Sequence, residues 1–128
     1  MNKAVLDASA ILAVLFDERG AENLTDEILN SAVVSTVNLA EVQTKLVKMG
    51  RGPEDAWIDA LSLGIAAELY TSEQAKTAGS LIANTEKYGL SLGDRSCLAL
   101  AIALGAPVYT TEQAWRNLQV GIPIHVIR

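Results

Sequence analysis

Apolar residues along this chain fall into short runs and stepped stripes. Ala4-Val5-Leu6 is a three-residue apolar run that ends at Asp7, and Ala8 to Phe16 is apolar except at Ser9, the composition of a buried helix. A second helix is predicted over Ala21 to Leu29. Ala32-Val33-Val34 reads as a short strand, and Ser35 or Thr36 can cap the helix that follows. That helix carries Leu39, Val42, Leu46 and Met49 at steps of three, four and three, a core-facing stripe. Asn38, Glu41, Lys45 and Lys48 repeat the spacing one position earlier. Gly50 and Gly52 end the helix, and Pro53 suits the first turn of the next.

Beyond Gly64, Ile65 to Tyr70 reads as a strand, and Thr71 with Gln74 resembles a capping box opening a helix to about Tyr88. Ser91 precedes Leu92 to Leu104, apolar on nearly every side after its first turn and so expected to be central and buried. Pro107-Val108-Tyr109 and Ile122 to Ile127 supply two late strands, with a short helix around Gln113 to Asn117 between them. Short apolar strands alternating with helices predict an α/β fold on a mostly parallel sheet. A chain of 128 residues, half of them hydrophobic, is long enough for one well-covered core, so residues 1–128 are expected to form one domain.

Composition narrows the function classes. One cysteine, Cys97, makes neither an intramolecular disulfide nor a zinc cluster, which fits a reduced cytoplasm. The apolar run before Asp7 is too short for a signal peptide. Ser96 to Thr111, the longest uncharged stretch, is broken by Gly105 and Pro107 and falls short of the roughly 20 apolar residues that span a bilayer, so no membrane association is expected. A net charge of −5 argues against a protein that holds nucleic acid by bulk electrostatics, unless part of the acidic excess lies in a pocket that cations neutralise.

Four acids are candidates for such a pocket. In a parallel sheet, ligands bind beyond the carboxyl ends of the strands. Asp7 follows the first strand, Glu41 lies in the first two turns of the helix after the second, and Glu112 sits three residues past Tyr109. Asp94 begins a helix that leads into a strand, and spacing alone does not place it with the others. Each acid also has a plain structural reading. Asp7 suits a helix N-cap, Asp94 completes a capping box with Ser91, Glu112 favours a helix dipole, and Glu41 stands four residues before Lys45.

If the four converge, their mutual repulsion calls for cations. Oxygen ligands without His or Cys select hard ions, magnesium or manganese. One or two such ions activate water and stabilise the attacking and leaving oxygens of an in-line displacement at phosphorus, which is phosphodiester hydrolysis.

Val5-Leu6-Asp7-Ala8-Ser9-Ala10, Asn38-Leu39-Ala40-Glu41-Val42, Leu92-Gly93-Asp94-Arg95-Ser96-Cys97-Leu98-Ala99 and Val108-Tyr109-Thr110-Thr111-Glu112 stand in the order and at about the distances found in PIN-domain ribonucleases. Across essentially the whole chain the sequence resembles that family, most closely VapC-type toxins of bacterial toxin–antitoxin modules. The resemblance implies a three-layer α/β/α domain with about five strands and a magnesium-dependent endoribonuclease acting on structured RNA such as transfer RNA. It implies Asp7 and Asp94 as principal magnesium ligands, Glu41 as a further ligand or water-orienting group, and Glu112 as an outer member. Ser9, Asn38 and Thr110 match polar positions lining the family's pocket. A second copy of the chain and a small antitoxin are the implied protein partners. Glu112 departs from the family's usual aspartate, and its added methylene costs side-chain order.

Lys45, Lys48 and Arg51, with Arg95 beside Asp94, are candidates for phosphate contacts. His125 is the only histidine and lacks the partner that acid–base ribonuclease chemistry needs. Cys97 reads as an apolar packing residue, and Trp57, Trp115, Tyr70 and Tyr88 are too scattered for a base-stacking platform. Two other functions compete. One is an aspartate-nucleophile phosphotransfer protein using Asp7, for which the second aspartate expected two residues on is instead Ser9. The other is a catalytically weak PIN-like module that binds protein through its apolar faces.

Overall fold

Residues 2–128 are described by a computed structural model. Strand β1 (Ala4–Leu6) enters helix α1 (Ala8–Leu15), and α2 (Asp26–Asn30) precedes β2 (Ala32–Ser35). Helices α3 (Thr36–Lys48) and α4 (Pro53–Leu61) lead to β3 (Ala66–Glu68). Helices α5 (Ser72–Ser80), α6 (Ile82–Thr85) and α7 (Leu92–Leu104) then reach β4 (Val108–Thr110), and β5 (Ile124–Val126) closes the order.

The five strands form one sheet in the order β3-β2-β1-β4-β5, and every pairing is parallel. Val5 is matched with Val33 on one side and Val108 on the other, so the most apolar strands lie in the middle. Alternation along the strands feeds two cores. Leu6 and Val34 pack with Ile11, Leu39, Val42 and Leu46 of α1 and α3, while Val5, Val33 and Val108 pack with Leu98, Leu100 and Trp115. Helices therefore cover both faces, giving three α/β/α layers with α7 against the central strands, as its apolar surface predicts. Among the described residues no helix is long and apolar enough to cross a membrane.

Four expectations need correction. The helix predicted over Ala21 to Leu29 is a 3-10 turn at Ala21–Asn23 followed by the separate α2, because Leu24 leaves helical geometry and the Thr25 hydroxyl accepts the Ile28 N–H to start again. The helix predicted to run to Tyr88 stops at Ser80, where Gly79 and Ser80 are weak helix formers, and continues as α6 and a 3-10 turn. Thr71 caps α5 through the Gln74 N–H, but the buried Gln74 Oε1 has no partner, so the reciprocal half of that box is not made. Met49 does not extend the core stripe of α3, since it lies past the last turn and is exposed.

Candidate functional site

Because all five strands run the same way, their carboxyl ends share one edge, and the chain leaves that edge at Asp7, Ser35 and Thr110. Asp7 is 3% exposed and is the N-cap of α1, with Oδ1 accepting the Ala10 N–H at 2.8 Å and the Ser9 hydroxyl at 2.7 Å. Oδ2 accepts the Thr110 hydroxyl at 2.6 Å. A carboxylate offers about four acceptor positions, so these three bonds leave one, on Oδ2. The two hydroxyls are themselves set by backbone donors, with Thr111 N–H reaching Ser9 Oγ and Glu112 N–H reaching Thr110 Oγ1, both at 3.0 Å. Burial nevertheless outweighs these hydrogen bonds, and with Asp94 nearby it pushes the Asp7 pKa from 3.8 up to about 6.

Glu41 is half-buried in the second turn of α3. The Asn38 amide, one turn earlier and 1% exposed, donates Nδ2–H both to Glu41 Oε1 at 2.6 Å and to the Gly93 carbonyl at 3.0 Å. Its Oδ1 is buried without a partner. Burial raises the Glu41 pKa, the Asn38 bond opposes that, and the charge of Asp94 adds to it.

Asp94 is the third residue of α7. Its Oδ2 accepts the Ser91 N–H at 2.9 Å while the Ser91 hydroxyl accepts the Asp94 N–H at 3.2 Å, a complete capping box. The capping role and nearness to the other acids coexist, since Asp94 raises both Asp7 and Glu41. Cys97, one turn further along α7, lies fully buried within electrostatic reach of all three carboxylates, and burial with those charges pushes its thiol well up. It is inert packing beneath the acids.

Glu112 stands apart from this trio. It is exposed and tied to the site through its backbone N–H on Thr110. Lys45 and Lys48 are exposed on α3, whereas Arg51 is paired with Asp59 at 2.8 Å. Arg95 turns away from its neighbouring acid and donates to the Ala78 carbonyl of α5 at 2.9 Å, with Nε buried and unpartnered. His125 is exposed on the edge strand, stacked on Tyr109 with centroids 4.8 Å apart. Gly93 is the site residue that sequence reading passed over, because a lone glycine in a helix's first turn carries no signal beyond its low propensity.

Among the described residues no three His, Cys, Asp or Glu side chains stand close enough together to hold an ion as they are placed. Glu41 and Asp94 instead have their carboxylates on donors of the chain. The donor chemistry fits a hard divalent cation all the same. It is oxygen only, one acceptor position of Asp7 is left open in a buried setting, and the charge of Asp94 adds to the burial that raises the pKa values of Asp7 and Glu41.

The sequence pattern of the PIN domain matches residues 4–120. No curated protein sequence matches the chain. Its fold is similar to solved toxin–antitoxin structures at low identity. VapBC from Salmonella typhimurium, bound to DNA, aligns with a TM-score of 0.73 at 18% identity over 97% of each chain. VapBC2 from Rickettsia felis, bound to a promoter DNA fragment, aligns at 0.72 and 17%, covering 94% of this chain and 96% of that one. VapC20 from Mycobacterium tuberculosis, a sarcin–ricin loop cleaving toxin, aligns at 0.69 and 16%, covering 94% and 99%.

Proposed function

The chain belongs to the PIN-domain family, and from that membership we propose that it is a magnesium-dependent endoribonuclease, the VapC-type toxin of a toxin–antitoxin pair. One observation carries the reading: Asp7, buried at the carboxyl end of β1 and held by Ser9, Ala10 and Thr110, keeps one acceptor position open on the edge where α/β sheets bind ligands. Asp7, Asp94 and Glu41 would hold one or two magnesium or manganese ions, with Glu112 as an outer carboxylate. Bound there, the metal supplies an activated water and neutralises charge building on the phosphate oxygens.

The chain's own residues do the positioning. Ser9 and Thr110 fix the Asp7 carboxylate from both sides, and Asn38 directs Glu41 toward α7. Hydrolysis would leave a 5′-phosphate and a 3′-hydroxyl. The substrate is a structured RNA such as transfer RNA, and the sarcin–ricin loop cut by the M. tuberculosis neighbour is of the same chemical class. Lys45 and Lys48 are exposed for its phosphates, while Arg51 and Arg95 would first have to leave Asp59 and Ala78. Residues 1–128 act as one domain in the cytoplasm, with an antitoxin and a second copy as partners. Exposed Trp57, Ile58 and Leu61 on α4 offer apolar contact area for either.

A nucleophilic role for Asp7 is disfavoured, since three donors hold its oxygens in place. The protein-binding module without catalysis is favoured by the separated carboxylates and the exposed Glu112. Incubating partner-free protein with a transfer-RNA panel and magnesium separates the two, since only the nuclease cuts and only the nuclease is silenced by Asp7→Asn.

A further inference from the structure

The backbone of Gly93 and the side chain of Glu41 occupy touching space across the α3–α7 contact. A Cβ built on Gly93 would lie 2.5 Å from Glu41 Cδ and 2.6 Å from Oε1, with Oε2 nearer still. No carbon tolerates such separations, so any side chain at position 93 would evict the carboxylate. A Cβ at Gly20 would meet the Ile127 backbone carbonyl, and at Gly50, Gly52, Gly64, Gly79, Gly89, Gly105 or Gly121 it would meet nothing, so Gly93 is the glycine whose missing side chain is filled by an acid. The Asn38 amide ties the same two residues together, holding Glu41 Oε1 with one hydrogen and the Gly93 carbonyl with the other.

We propose that Gly93 is a positioning residue for the carboxylate of Glu41: its missing side chain makes the space that brings Glu41 against the first turn of α7, beside Asp94. The proposal rests on the nuclease reading for its consequence and on steric contact alone for its cause. Glu41 is the far end of a flexible side chain and only half-buried, so it yields to an added methyl without disturbing either helix. Gly93→Ala should therefore fold, since alanine is the better helix former at that position, yet displace the carboxylate.

The test is a double-mutant cycle on the full chain with Gly93→Ala, Glu41→Gln and both together. Three readings are taken: RNA cleavage in magnesium, the rise in melting temperature on adding manganese, and the Asn38 side-chain amide resonances without metal or RNA. Gly93→Ala in the parent should slow cleavage on the order of 10²-fold, the scale of an ångström-sized misplacement, with a near-parental melt. In the Glu41→Gln background the same change should cost less than about twofold, because a residue acting only through Glu41 has nothing left to act on. The manganese response should follow the same pattern, and the Asn38 amide should shift in Gly93→Ala.

Equal losses in both backgrounds would assign Gly93 a merely structural role and overturn the proposal. So would an unmoved Asn38 amide, or a Glu41→Gln protein that cleaves like the parent. If the parent itself does not cut RNA, the nuclease reading falls, while a shifted amide and a lost manganese response would still support the hold of Gly93 on Glu41.

Discussion

The Thr110 hydroxyl donates to Asp7 Oδ2 at 2.6 Å while its oxygen accepts the Glu112 N–H at 3.0 Å, so one buried side chain joins the ends of β1 and β4 at the site. Thr110→Val keeps the shape and removes both bonds. The Glu112 N–H loses its acceptor, and Asp7 loses the strongest of the hydrogen bonds that favour its charged form. A loss of about 1–3 kcal/mol in stability is expected by urea titration. The acid limb of the cleavage pH profile should move upward, because the Asp7 proton is then held more tightly. An unmoved limb would detach Thr110 from the ionisation of Asp7.

Asp7 also sets a pH dependence of stability. With its pKa raised from 3.8 to about 6, the folded protein binds this proton more tightly than the unfolded chain does. The associated stabilisation is complete below the unfolded value and lost as pH rises through the folded one, an effect of about 3 kcal/mol across that window. Glu41, also raised, adds in the same direction. The stability difference between parent and Asp7→Asn, measured by urea titration without metal, should change in favour of the variant between pH 4 and pH 7 on the scale of about 1 kcal/mol or more. A difference independent of pH would mean that Asp7 is not the buried acid described here.

Much of the fold was legible because its strands and α7 carry strong patterns. Ala4-Val5-Leu6 and Ala32-Val33-Val34 are apolar on both sides, as strands buried between two helix layers must be, and Ser91 with Gly105 brackets α7. The break at Leu24 was not legible, because it depends on the burial of that residue and on the Thr25 hydroxyl taking the Ile28 N–H, whereas the break at Ser80 was signalled only by the weak propensity of Gly79 and Ser80.

Asp94 is instructive in another way. Spacing alone does not place it with the other acids, because α7 precedes a strand instead of following one. In an all-parallel sheet, a helix that delivers the chain to the start of β4 must itself begin at the opposite, carboxyl edge, so parallel topology starts α7, and with it Asp94, on the edge where Asp7 lies. Gly93 had no such route, since its role depends on a side chain 52 positions earlier in the sequence reaching across to α7.

The charge of Asp94, felt at both Asp7 and Glu41, predicts a metal response without RNA. Magnesium should raise the melting temperature of the parent, and Asp94→Asn should reduce that rise by removing the charge that acts on both other acids. Without metal, the same variant gains from relieved repulsion and keeps an oxygen for the Ser91 N–H, so its melt should lie near or above the parent's. Ser91→Ala provides the contrast. It removes only the cap, should cost about 1 kcal/mol, and should leave the magnesium response intact. Melts indifferent to magnesium in parent and Asp94→Asn alike would argue against a clustered acidic site.

The most direct measurement is cleavage of a transfer-RNA panel by partner-free protein in magnesium, run beside Asp7→Asn with the fragment ends identified. Asp7 is the buried acid at the end of the central strand, and its replacement removes the charge while keeping the size. The account predicts cutting by the parent to give 5′-phosphate and 3′-hydroxyl ends, and none above background by Asp7→Asn. Equal cutting by both proteins, or none by the parent on any RNA of the panel, would contradict it.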